Sequence, residues 1–207
     1  MTKSEKELFQ LTKLSCYIAL DNFKEIEILI GKLKYKNFKA IKIYETILHS
    51  YLFCGFPAAI ESLKIFKKYY KHYKSIPNEV SNQNLKKSGE INCKLIYKNN
   101  YNKLLENMNR ISPEMKNWML FEGYGKVMSR TGLSLYEREF ITISILTVRY
   151  FEYQLHSHLK GCIHLGAHVD LIKEILFSIK DIAGVTNYKK ALKLLSRIHK
   201  PVDKSEK

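Results

Sequence analysis

Apolar residues recur at spacings of three and four along nearly the whole chain, and only 9 Gly and 4 Pro interrupt its 207 residues. That repeat lays side chains along one stripe of a helix, whereas a strand needs alternation at every second position. The chain is therefore predicted to be all-α. Helices are expected over about 4–20, 22–34, 38–53, 57–74, 92–109, 113–129, 135–150, 152–166, 169–181 and 186–199. Ser112-Pro113 offers an N-cap followed by a proline at the first helical position, and Ser134-x-x-Glu137 is a capping box. With 45% hydrophobic residues the chain can bury a full core. The charged opening Met-Thr-Lys-Ser-Glu-Lys-Glu lacks the apolar centre of a signal peptide. No apolar run approaches the roughly 20 residues needed to span a bilayer. No membrane partner is expected.

Cysteines at 16, 54, 93 and 162 are far apart and lack metal-finger spacing, which argues against a disulfide scaffold and predicts a reducing, cytoplasmic setting. The net charge of +15 raises nucleic-acid binding as a function class. Its basis is mostly lysine scattered over every segment, with arginine only at 110, 130, 138, 149 and 197. A recognition surface concentrates arginine and interleaves exposed aromatics, so no specific nucleic-acid partner is expected.

On the helix predicted from 152 to 166, Leu155, Leu159, Cys162, Ile163 and Gly166 make an apolar face. His158 lies among them at spacings of three and four, so it is predicted to point inward, whereas His156 and His164 fall on the lysine and serine side. An inward histidine is either a hydrogen-bonded core residue or a site residue. Glu139, one helix earlier, is either a first-turn acid favoured by the helix dipole or the histidine's partner. Arg130 and Arg138 stand out in a chain that otherwise uses lysine, and are candidates for binding a substrate carboxylate. Arg149 reads more simply as an ion-pair partner. Cys162 and His158 are spaced i, i+4, but no third ligand accompanies them, and no metal site is expected. No phosphate loop or dinucleotide fingerprint is present, and no cofactor is expected.

The stretch Glu122-Gly-Tyr-Gly-Lys-Val-Met-Ser-Arg130-Thr-Gly-Leu-Ser134, continuing through Glu137-Arg-Glu139 to Gln154-Leu-His-Ser-His158-Leu-Lys-Gly161, resembles the carboxymuconolactone decarboxylase family, relatives of the alkylhydroperoxidase D-like enzymes. Redox members of that superfamily carry Cys-x-x-Cys followed after three residues by His. Here Phe151 and Gln154 stand in place of the two cysteines. In the redox relatives a glutamate twelve positions before the first cysteine shares a proton relay with the histidine, and Glu139 precedes Phe151 by that interval. The resemblance thus implies His158 and Glu139 as catalytic residues, with Arg130, Arg138 and Gln154 binding substrate.

Laying residues 5–63 beside 137–192 exposes a weak duplication: Glu5-x-Glu7 on Glu137-x-Glu139, Leu33 on Leu165 and, after a three-residue gap near Tyr35, Ile43-x-Glu45 on Ile172-x-Glu174 and Gly55 on Gly184. In that register Ile26 occupies the place of His158. Together with the resemblance, this implies an alkylhydroperoxidase D-like helical fold of two tandem units forming a pseudo-dimer. The expected division is a degenerate unit over 1–71, a polar linker over 72–95, a site-bearing unit over 96–200 and a disordered tail over 201–207. The implied activity is cofactor-free decarboxylation of a small carboxylated lactone or related acid, by a homo-oligomer. The alternatives are a non-catalytic helical oligomer and a peroxidase using an isolated cysteine.

Overall fold

The computed structural model describes residues 2–75 and 81–198, and among these no strand occurs. The all-α expectation holds. Helices run over α1 Lys3–Ala19, α2 Phe23–Tyr35, α3 Ala40–Tyr69, α4 Asn82–Tyr97, α5 Tyr101–Ile111, α6 Pro113–Trp118, α7 Leu135–Arg149, α8 Glu152–His164, α9 Val169–Ser178, α10 Lys180–Ala183 and α11 Val185–Ile198. A single 3₁₀ turn at Lys98–Asn100 leads from α4 into α5, and a π-helical segment over Met119–Val127 continues α6. Both predicted caps form: Ser112 accepts from the Met115 amide, and Ser134 and Glu137 satisfy each other's backbone donors.

Residues 82–97, most of which fall in the expected polar linker, instead form α4. Leu85, Cys93 and Ile96 on it are buried, and at their spacing of three and eight they make the stripe that a docked helix needs. Its polar residues fill the other faces, which is why composition alone reads as a loop. The segment predicted as one helix over 113–129 changes to π winding at Met119, where Gly123 and Gly125 lower the cost of irregular backbone. α4 crosses this segment at backbone contact. A β-carbon added to Gly89 would lie 2.0 Å from the Leu120 carbonyl oxygen, and one added to Gly125 would lie 2.4 Å from that of Leu85. The expected tail over 201–207 lies outside the described residues.

α7 is the central helix, buried at every position from Arg138 to Val148. Phe140, Ile143 and Leu146 pack with Leu155, Leu159, Cys162, Ile172 and Ile175 in the C-terminal core, while Ile141 and Ile145 turn toward Leu11 and Leu133. A second core gathers Ile26, Ile30, Leu33, Ile43, Ile47 and Phe66 of α2 and α3. Each such side chain contributes about 1.5–3 kcal/mol by leaving water.

The two ends of the chain share a backbone rhythm. Asp21 and Tyr150, Asn37 and Gly166, and Gly55 and Gly184 are left-handed residues, the members of each pair separated by 129 positions. α2 and α8 each span 13 residues, and their buried positions Ile26, Ile30 and Leu33 keep the same offset to Leu155, Leu159 and Cys162. The capping glutamates Glu5 and Glu137 are instead 132 apart. At the 129-residue offset the residue opposite His158 is Leu29, whereas at the 132-residue offset of the capping glutamates it is Ile26.

The close crossing of α4 is testable. Gly89→Ala should lower stability by about 1–3 kcal/mol, as overpacking does, or roughly 2–4 °C of melting temperature per kcal/mol. Gly123→Ala, whose added β-carbon meets nothing within 4 Å, should not. Differential scanning calorimetry of the two variants separates these outcomes.

Candidate functional site

Burial of α7 begins with two consecutive charged residues, Arg138 and Glu139, both 0% exposed. A buried charge costs several kcal/mol unless it is paired and hydrogen-bonded. Successive residues on a helix project about 100° apart, so the two cannot share a partner, and each finds its counter-charge on a different neighbour. Glu139 faces α8, where Nδ1 of His158 lies 2.9 Å from Oε2 and 3.1 Å from Oε1. The inward orientation predicted for His158 is thus observed, and Glu139 is its partner; the acid in the first turn of α7 is Glu137 instead. The approach depends on Gly161: a β-carbon there would stand 2.5 Å from Oε2 of Glu139 and 2.7 Å from Ile96.

A carboxylate can only accept, so Nδ1 of His158 carries the proton and donates it. That fixes the tautomer and turns the chemistry to the other ring nitrogen. Nε2 has no hydrogen-bond partner among the described residues, and 9% of the His158 side chain stays exposed. Phe53 and Tyr97 close over the ring edge-on, with centroids 6.4 and 6.2 Å away. The Tyr97 hydroxyl pairs with that of Tyr124 at 3.1 Å. Burial holds both phenols protonated well above their ordinary range.

Arg138 faces α3. Its guanidinium donates to Oε2 of Glu45 at 2.9 Å and to the Arg130 carbonyl at 2.9 Å, and Arg130 grips the same carboxylate with Nε and Nη2 at 2.9–3.1 Å. The structure does not turn these two arginines toward His158. Both are spent on a carboxylate 85 to 93 positions earlier, and the burial of Arg138 withdraws it from any dissolved anion. Burial also pulls the Arg138 guanidinium below its ordinary pKa, against the pull of Glu45. Gln154 is exposed on α8. Arg149 donates to the Phe53 carbonyl at 3.1 Å and stacks over Phe151, instead of the ion pair expected for it.

Two residues near this pair were not singled out in the sequence. Glu45 and His49 are both buried on α3, four positions apart, among the apolar residues Ile43 and Ile47. Nε2 of His49 meets the Thr142 hydroxyl at 2.9 Å, and its Nδ1 is buried without a partner. Polar residues at helical spacing within an apolar run were the available signal, and a solvated face explained them equally well. All four cysteines are free thiols. Burial raises the pKa of each, to about 11 at Cys54 and about 12 at Cys93, where the Glu139 charge adds to it. None is activated as a thiolate. Among the described residues no group of three or more His, Cys, Asp or Glu could hold a metal ion, and no helix is long and apolar enough to cross a membrane.

Residues 115–197, which include both Glu139 and His158, match the model of the carboxymuconolactone decarboxylase family. The likeness to that family is confined to this segment. It is also similar to the 4-carboxymuconolactone decarboxylase of Acinetobacter baylyi, with 27% identity over 118 residues, covering 57% of this chain and 88% of the relative. The Glu139–His158 pair of α7 and α8 lies inside the matched region, and Glu45 and His49 lie before it.

His49 gives the site a pH signature. Its burial, then the Arg138 and His158 charges, hold its pKa well below the ordinary 6.5. Below that value the unfolded chain binds a proton that the folded one refuses, so stability falls as pH drops from 7 toward 5.5, by about 1 kcal/mol per pH unit. Urea unfolding should show this slope, and His49→Gln should flatten it.

Proposed function

We propose that the Glu139–His158 pair is a general acid for cofactor-free decarboxylation of a small carboxylated lactone or related unsaturated acid. The observation that carries the reading is a buried carboxylate 2.9 Å from Nδ1 of a histidine whose second nitrogen is unpartnered, within a segment of decarboxylase family sequence. The similarity to a 4-carboxymuconolactone decarboxylase supplies the substrate class.

In this reaction the bond between the carboxylate carbon and the neighbouring carbon breaks, carbon dioxide leaves, and the electron pair passes to the adjoining unsaturated system as an enolate. Imidazolium Nε2–H of His158 then delivers a proton to carbon, leaving neutral imidazole that solvent reprotonates. Glu139 stabilises the cationic ring from Nδ1, so the proton is held without full exposure to water. The aromatic walls Phe53 and Tyr97 favour loss of charge from the carboxylate by excluding solvent.

A non-catalytic scaffold is the competing reading, favoured by the small opening at His158, 9% of whose side chain is exposed. The cysteine peroxidase reading has weaker support, because burial keeps all four thiols protonated. We further propose two tandem units, on the strength of the 129-residue offset shared by three left-handed pairs and by the buried faces of α2 and α8. A homo-oligomer in a reducing cytoplasm accords with the free cysteines and with exposed Trp118, Phe151 and Tyr153.

Carbon dioxide release from 4-carboxymuconolactone provides the test. Wild-type turnover should fall roughly 10²–10⁴-fold in His158→Ala, the span of one general acid, and fall also in Glu139→Gln. Equal rates in wild type and His158→Ala remove this histidine from the mechanism, and an inert wild type supports the scaffold.

A further inference from the structure

A cavity of about 220 Å³ opens on the outer side of α8, between that helix and the α4–α5 junction. Ile96, Tyr97 and Leu104 form its apolar wall. Asn100, Lys103, Asn107, His156, Ser157, Lys160 and His164 complete the lining, and no carboxylate is among them. Lys42, which lines the cleft beside the start of α7, lies by contrast 2.8 Å from both Glu7 and Glu137. Lys103 and Lys160 have no salt-bridge partner among the described residues.

We infer that this cleft binds a small organic anion, a carboxylate with a short hydrocarbon body. Lys103 and Lys160 neutralise its charge, the Asn100 and Asn107 amides donate to carboxylate oxygen, and Ile96, Leu104 and the Tyr97 ring cover the carbon chain. Pairing an apolar wall with fixed polar groups is how small-molecule sites combine affinity with orientation. The volume lies below the roughly 300–1,000 Å³ of drug-sized sites, so a compact metabolite fits and a polymer does not. An inorganic anion would use the lysines and leave the apolar wall in water. Nδ1 of His164 donates to the Ile96 carbonyl at 2.6 Å, which fixes the floor of the cleft against α4. Tyr97 is shared, touching the cleft on one side and the imidazole of His158 on the other.

The cleft carries two free cations, a role the sequence had given to Arg130 and Arg138, and its occupancy does not depend on turnover at His158. Isothermal titration of the full chain with adipate, inorganic phosphate and hexane-1,6-diol tests it. Adipate should bind the wild type, weaken at least tenfold in Lys103→Gln/Lys160→Gln, and bind His158→Ala within twofold of wild type. Phosphate and the diol, each offering half of the recognition, should bind at least tenfold more weakly than adipate. Absence of adipate binding to the wild type, equal affinity in the double lysine variant, or phosphate binding as tightly as adipate would each overturn the inference. Loss of decarboxylation in His158→Ala with adipate binding retained would separate this cleft from the proposed catalytic pair.

Discussion

Arg138 and Glu139, neighbours in sequence, sit at the start of a helix that is buried for eleven consecutive residues, and the rest of the arrangement follows from the need to neutralise both. Water is not available to either. The helical turn between them sends one charge to α3 and the other to α8, so a dipeptide fixes elements from both halves of the chain against α7. Removing a partner from such a pair typically costs 3–5 kcal/mol, because a bare charge stays behind in the core. The same constraint gives the pairs their functional contrast. Arg138 meets a carboxylate held by a second arginine and becomes structural, whereas Glu139 meets an imidazole with one nitrogen to spare.

That spare nitrogen gives α8 a titratable group that α2 lacks at the position 129 residues earlier. Leu29, at the corresponding position of α2, packs against the N-terminal core and has no titratable group. The N-terminal half still shapes the site. α3 brings Phe53 against the imidazole, and brings Glu45 and His49 beneath the start of α7. Glycine makes two of these approaches possible: Gly161 admits the Glu139 carboxylate to the surface of α8, and Gly89 seats α4, whose last residue is Tyr97.

The family model matches residues 115–197, and the residues that close over His158 from outside that segment include Phe53 and Tyr97. The matched segment therefore supplies the carboxylate and the imidazole, while the chain before it supplies the aromatic rings that cover them.

From the sequence alone, apolar periodicity determined the helices, Ser112-Pro113 and the Ser134-x-x-Glu137 capping box determined where α6 and α7 begin, and the spacing of His158 between Leu155 and Cys162 determined that it points inward. These are local properties, set within one or two turns of a single helix. The conversion of the polar stretch 82–97 into a packed helix, the capture of Arg130 and Arg138 by Glu45, and the burial of His49 were decided only in the tertiary structure. Each depends on a partner tens of positions away, and a charged side chain reads the same in sequence whether it faces water or a counter-charge in the core.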